Sequence, residues 1–463
     1  MKRLPPKYQM PVTTSTYFVF LAGVFLLHWA VARVRSCALA VLLFANYFFY
    51  AKADLAYLLL IPAASLTDYF IGRGLAHFTD PDTRRVLLGA SLTLNLGILA
   101  SFKYLPVALT NWHWSLPLGL SFYCFQSLTY TIDLYRHDTK PVKSLLSYLT
   151  AVSFFPTTLA GPITRIATLV PQLEKERKLS DVAAGQALFR IAHGLVKKLL
   201  IADFLAENLI NRVFDFPNLY SGTEVLIAVY AYALQLYFDF SGYTDIVIGS
   251  AMLLGIKLPE NFNSPYAATN LADFWRRWHI SLSNWLRDYL YFSFPGKRTV
   301  WMPYLALVLT MVIGGWWHGP SWGFVFWGLL HGVGLAVVRF WQSHPLSKRL
   351  AGPVYDWASR FLTVQFVCFA WIFFRAPSWQ KATEVIARIT SGSASLANVS
   401  QPIAIILAIA LIGHYLPARW WQFSLDRFAA APFYAQAAAL FALILGLQYI
   451  NATGAAPFIY TRF

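Results

Sequence analysis

Apolar residues run in long blocks along the whole 463-residue chain, and polar residues gather in the short gaps between them. The blocks fall at 17–31, 37–51, 55–72, 86–104, 116–135, 145–162, 225–255, 304–317, 324–341, 361–374, 402–416 and 434–450. Most are long enough, or nearly so, to cross a hydrocarbon core as a helix. The pattern predicts an all-α polytopic membrane protein with about 11 transmembrane helices, plus re-entrant and amphipathic helices where a block is short. The N-terminus is basic before the first block, as in a signal peptide. No small-residue cleavage site follows, so 17–31 reads as the first membrane helix. The longest polar stretch, 165–180, leads into an amphipathic helix through Lys197 and Lys198. No internal repeat or soluble domain is visible.

Composition excludes a large soluble enzyme. Hydrophobic residues make up 57% and charged residues 13%, with a mean hydropathy of +0.50, whereas soluble domains are nearer a quarter charged. The 17 Trp and 25 Tyr suit membrane interfaces. The net charge of +16 would suggest nucleic acid in a soluble protein. Here the cations sit in short loops, so they read as positive-inside topology and attraction to anionic lipid or an acidic partner, and no nucleic-acid partner is expected. Loops 165–198 and 276–298 are the richest in Arg and Lys and are assigned to the cytoplasm, with the Lys348, Arg349 and Arg360 loop on the same side. Three blocks follow that loop, an odd number, which puts the tail from Asn451 outside. Cys37, Cys124 and Cys368 lie far apart in or beside apolar blocks, so neither a disulfide framework nor a metal site is expected.

Of ten His, seven read as loop or hydrogen-bonded core residues. The other three stand out. His318 closes an apolar block in Gly314-Gly315-Trp316-Trp317-His318-Gly319-Pro320. An ionisable residue at membrane depth is costly and is a functional candidate by default; the plainer alternative is an interfacial anchor. His279 sits in Phe274-Trp-Arg-Arg-Trp-His-Ile-Ser-Leu-Ser-Asn-Trp-Leu-Arg-Asp-Tyr289. Helical spacing places Trp275, Trp278, His279 and Leu282 on one face, with Arg276 and Arg277 elsewhere. An interfacial helix explains the Trp and Arg but not the His. His331 follows Trp327 in a third apolar block.

Asp239 and Asp245 lie inside an aromatic apolar stretch, followed by Asn261 and Asn263. Buried carboxylates need partners, and Arg276 and Arg277 are the expected ones. The preferred reading is a structural ion pair. No P-loop, dinucleotide fingerprint or nucleophile elbow is present.

The 274–289 run, Trp317-His318-Gly319 and Trp327-Gly-Leu-Leu-His331-Gly332 together resemble the membrane-bound O-acyltransferase (MBOAT) family. They are most similar to the branch of the alginate O-acetyltransferase membrane subunit and the teichoic-acid D-alanyltransferase. Further matching pieces are Phe122–Asp133, Ala160–Arg165, Leu236–Asp245 and Ile372–Ala376. The resemblance implies that His318 is the catalytic His. It implies that His279, 39 residues earlier, is the second polar position, with His331 and Trp317 in supporting roles. The tail Phe458-Ile459-Tyr460-Thr461-Arg462-Phe463 fits an F-x-Y-x-x-F pattern whose Tyr is proposed to carry the acyl group in cell-envelope acyltransferases; an interfacial aromatic tail is the alternative. The expected organisation is one transmembrane domain over 1–451 and an acyl-relay tail over 452–463.

The implied reaction takes an acetyl group from cytoplasmic acetyl-CoA, passes it across a bacterial inner membrane through Tyr460, and delivers it to a periplasmic acyltransferase or an envelope polysaccharide. No permanently bound cofactor is expected. Arg165, Lys197 and Lys198 are candidates for the coenzyme's phosphates. Alternatives are a D-alanyl-type transferase fed by an acyl carrier protein, a lipid-modifying acyltransferase, and a transporter without chemistry.

Overall fold

The computed structural model describes residues 10–108, 116–294, 299–350 and 352–450. Among them every regular element is a helix. Four helices are long and apolar enough to cross a membrane: Pro81–Lys103 (α1), Gly222–Leu253 (α2), Trp322–Ser343 (α5) and Pro353–Arg375 (α6). Gln401–Tyr415 with Ala418–Ala430, bent by 93°, adds a fifth as a broken span. Ser15–Ala30, Met302–His318 (α4) and Phe433–Gln448 are shorter apolar helices. The chain is thus a multi-pass helical membrane protein, with four to five clear spans where the apolar blocks alone suggest about 11. Part of the difference is local breakage. The block at 145–162, for example, splits into Leu145–Val152 and Phe155–Thr158, with Pro156 in the first turn of the second piece, where a missing N–H is tolerated.

The chain divides into two compact units. The first holds the described residues up to His193, with Tyr243–Pro259 and Leu425–Ala437. Its interior contains a polar knot. Asp68 is fully buried and accepts hydrogen bonds from Ser91 Oγ at 2.7 Å, Asn95 Nδ2 at 2.8 Å and Ser127 Oγ at 2.6 Å. Arg84, also buried, donates to the carbonyls of Leu75, Leu134 and Tyr135. Both groups find the partners that burial demands.

The second unit holds Gly194–Gly242, Glu260–Ser424 and the described residues from Ala438 onward. Its centre is aromatic, with Trp278, Trp327 and Trp371 all at most 2% exposed. Helices α4 and α5 form a hairpin linked only by Gly319, Pro320 and Ser321. Their backbones touch. A Cβ on Gly315 would stand 2.3 Å from the Phe324 carbonyl, and one on Gly328 2.3 Å from the Met311 carbonyl. Glycine is required at both positions because any side chain would force the helices apart.

Candidate active site

His318 is the last residue of α4, so the hairpin fixes where its ring begins. The residue is 4% exposed. Its ring packs against Trp317 at 4.8 Å between centroids, Phe374 at 5.1 Å and Trp327 at 5.3 Å. Trp327 comes from α5 and Phe374 from α6, so three helices close on the imidazole.

His279 does not lie on a continuous helical face as its spacing suggests. Helix Leu271–Arg277 (α3a) ends, Trp278 is extended, and His279 takes φ 42°, ψ 54° before Ile280–Trp285 (α3b) begins. A left-handed conformation is uncommon for any residue but Gly and is retained only where the surroundings enforce it. The enforcement comes from Asn261 and Asn263. The Asn261 carbonyl accepts from Ile280 N at 3.0 Å, its Oδ1 accepts from Ser281 N at 3.2 Å, and Asn263 N donates to the Arg277 carbonyl at 3.0 Å. Asn261 therefore caps α3b while holding the kink. The result is a His279 ring that is 1% exposed and meets Phe240 edge-on at 4.7 Å. Burial lowers its pKa from 6.5 to about 3, so it is neutral at physiological pH.

His331 is fully buried on α5. Trp275 Nε1 donates to its Nδ1 at 3.3 Å. Indole N–H is only a donor, so Nδ1 must be the acceptor and the ring is the neutral Nε2–H tautomer. His331 is thus set to orient Trp275 and Trp327, whose rings lie 5.3 and 5.0 Å away. A continuous series of ring contacts ties the three imidazoles into one cluster. It runs from His279 to Phe240, Phe262, Trp278, Trp371 and Trp327, and then to both His318 and His331.

The carboxylates do not meet Arg276 and Arg277. Those arginines pair with Asp273 on their own helix, at 3.6 and 3.0 Å. Asp239, in the second unit, receives Lys198 Nζ at 2.6 Å, and the same ammonium reaches Asp203 at 2.7 Å. Lys198 is 3% exposed, which corrects its assignment to a coenzyme phosphate. Burial alone would lower its pKa, but the two carboxylates outweigh that and hold it above its ordinary value. In the first unit, Asp245 is bound by Arg190 Nε at 3.0 Å and His193 Nδ1 at 3.3 Å. Both carboxylates are structural ion pairs, with different cations from those expected. Lys197 lies 5.8 Å over the Tyr237 ring, and Arg165 stands at the start of the short helix Ile166–Glu174 in the first unit. Tyr460 lies outside the described residues. Among the described residues no three His, Cys, Asp or Glu side chains gather as a metal site.

Sequence reasoning passed over Trp275, Trp327, Trp371 and Phe374 as site residues. The signal was present, since Trp275, Trp327 and Phe374 sit inside the very runs that carry the resemblance.

Residues 88–374 match the family model of MBOAT, the membrane-bound O-acyltransferase family. A probable alginate O-acetylase AlgI from Azotobacter vinelandii is 36% identical, over 87% of this chain and 82% of the relative. A peptidoglycan O-acetyltransferase from Helicobacter pylori is 35% identical, over 74% of this chain and 72% of the relative. A teichoic acid D-alanyltransferase from Bacillus subtilis is 30% identical, over 56% and 68%. The kinked His279, the hairpin-borne His318 and the series of rings between them all fall inside the matched segment, and the chain belongs to the membrane-bound O-acyltransferase family.

Proposed function

We propose that this chain is the membrane subunit of a system that O-acetylates a cell-envelope polysaccharide. It takes acetyl from cytoplasmic acetyl-CoA, carries it on Tyr460 and hands it to a periplasmic acyltransferase. The inner membrane of a bacterium is its site of action. The observation that carries this reading is His318, buried among four aromatic rings at the end of a helix that the hairpin positions.

A thioester is already activated, so the protein must orient it, take a proton from the nucleophile and stabilise the oxyanion. His318 acts as general base on the Tyr460 hydroxyl, which as a free phenol has a pKa near ~10. The Tyr460 oxygen attacks the acetyl carbonyl and a C–O bond forms. The C–S bond then breaks, and the thiolate takes the proton from the His318 imidazolium. Neutral His279 faces the same cluster and donates a hydrogen bond to the developing oxyanion. The acetyl-tyrosine is an aryl ester and remains a competent donor for the next transfer. Similarity to peptidoglycan and alginate O-acetylating relatives supports acetyl as the acyl group. The likeness to a teichoic acid D-alanyltransferase keeps a D-alanyl group from an acyl carrier protein as the second reading.

The test is mass spectrometry of the purified chain after incubation with labelled acetyl-CoA. Label on the C-terminal peptide at Tyr460, absent from folded His318→Ala, is the expected result. An unlabelled tail on folded wild-type protein overturns the coenzyme-to-Tyr460 route.

A further inference from the structure

Beside the aromatic cluster, the second unit contains a cavity of about 270 Å³ that the reaction so far leaves unused. Its wall carries Arg276, Arg287 and Arg339, with Asn284, Thr310 and Trp275. Among the described residues no Asp or Glu lines it, although two of the three arginines pair with carboxylates that are not part of the wall. Asp273 pairs with Arg276 at 3.6 Å, and Asp288 binds Arg287 through two contacts at 2.7 and 3.3 Å. Arg339 is steadied by the Tyr291 hydroxyl at 3.3 Å and lies over the Tyr304 ring. The guanidinium groups are therefore positioned, and every charged side chain in this otherwise largely apolar wall is basic. Concave, positively charged walls of this kind concentrate anions, and fixed arginines suit phosphate oxygens better than mobile lysines do.

The cavity's place in the hairpin gives the anion an identity. Thr310 of α4 lines it, eight residues before His318, which is about 12 Å along a helix. The Thr310 hydroxyl is buried and without a partner among the described residues. Trp275, another wall residue, packs on Trp327 at 5.8 Å, and Trp327 packs on His318 at 5.3 Å. A ligand held by phosphate at the arginines thus has an extended arm's length to run before its end meets the base. A pantetheine thioester has that form: phosphate at one end, acyl sulfur at the other. The space is too small for a whole coenzyme, and suits a diphosphate with the start of the arm.

We propose that Arg276, Arg287 and Arg339 form the phosphate-binding end of the donor site, holding the phosphorylated pantetheine of the acyl donor so that its thioester reaches His318. The inference rests on the donor reading given above and moves phosphate recognition away from Arg165, Lys197 and the buried Lys198.

Binding is measured apart from turnover, by calorimetry on the full-length chain in detergent with coenzyme A, 4′-phosphopantetheine and pantetheine as probes. Pantetheine is expected to bind weakest. Arg287→Ala and Arg339→Ala are each expected to weaken coenzyme A binding about tenfold and to leave pantetheine unchanged. Arg→Lys at the same positions restores part of the loss, which a misfolded variant would not show. Raising salt should weaken wild-type binding and have less effect on the Ala variants. Coenzyme A bound more tightly than phosphopantetheine assigns the free coenzyme as donor, and equal affinity assigns a carrier-borne arm; both keep the cavity as the phosphate site. Variants that bind coenzyme A like wild type overturn the proposal, as does wild-type protein that holds pantetheine as tightly as coenzyme A. If the arginines prove necessary for binding while Tyr460 takes no label, the relay falls and the phosphate site stands.

Discussion

Asp68 in the first unit and His318 in the second are both sealed from solvent, at 0% and 4% exposure, yet their surroundings are made of opposite materials. Asp68 is ringed by two serine hydroxyls and an asparagine amide, each within 2.8 Å. The rings packed on His318 include Trp317, Trp327 and Phe374, with Phe324 a little farther off. Hydrogen bonds fix the first group in one state, because every donor that leaves it must be left unmade in a medium without water. Aromatic rings supply most of the packing around the second. One polar centre is held by polar partners, the other by aromatic packing, which is the setting the proposed base requires.

The largest expected effect separates the two centres by activity. His318→Ala should cut acyl transfer roughly 10²–10⁴-fold while the protein still elutes as a folded species on size exclusion. Asp68→Leu should do the reverse. It leaves one Asn95 amide N–H unmade at about 1–3 kcal/mol and returns the Ser91 and Ser127 hydroxyls to their other neighbours, Thr131 and Tyr148, so folded yield and melting temperature drop while transfer per folded molecule is retained. If Asp68→Leu abolished transfer in folded protein, the contrast would be wrong.

A smaller effect sharpens the contrast by pH. His279 has its pKa lowered to about 3 by burial, so the unfolded chain binds a proton that the folded chain refuses. The contribution is fully present above pH ~6.5 and is lost as pH falls from there toward 3, at up to about 1.4 kcal/mol per pH unit. His279→Gln should flatten that part of the stability curve measured by thermal unfolding in detergent. The smallest effect concerns the clamp. Asn261→Ala removes the side-chain cap of α3b and should cost about 1 kcal/mol, with a larger loss in transfer rate than in melting temperature because the His279 kink relaxes. Equal losses in both would make Asn261 a stability residue alone.

Much of this was legible in the chain itself. The apolar blocks announce a helical membrane protein, and a His at the end of one block marks a candidate that the structure finds buried among aromatic rings. The kink at His279 was not legible. No Gly or Pro marks it, and the residues that impose it, Asn261 and Asn263, act through hydrogen bonds across 14 to 20 positions. The cations on Asp239 and Asp245 were misassigned for a related reason. Arg276 and Arg277 are conspicuous in the sequence, but Asp273 sits three and four residues away on the same helix and takes them first. Lys198 looks like one more loop cation until the helix containing it widens into π-turns over Val196–Ala202 and the side chain is found between two carboxylates.

The glycine-sealed hairpin also bears on how the protein is made. With only three residues between α4 and α5, neither helix can settle in the bilayer while the other waits outside. The two must be inserted as a pair, as the ribosome delivers them, and the contacts at Gly315 and Gly328 can close as soon as both are in. The Trp327 wall of the imidazole arrives in that same step, whereas the Phe374 wall waits for α6. Placing His318 is therefore largely an event of biosynthesis, finished before the C-terminal tail has left the ribosome.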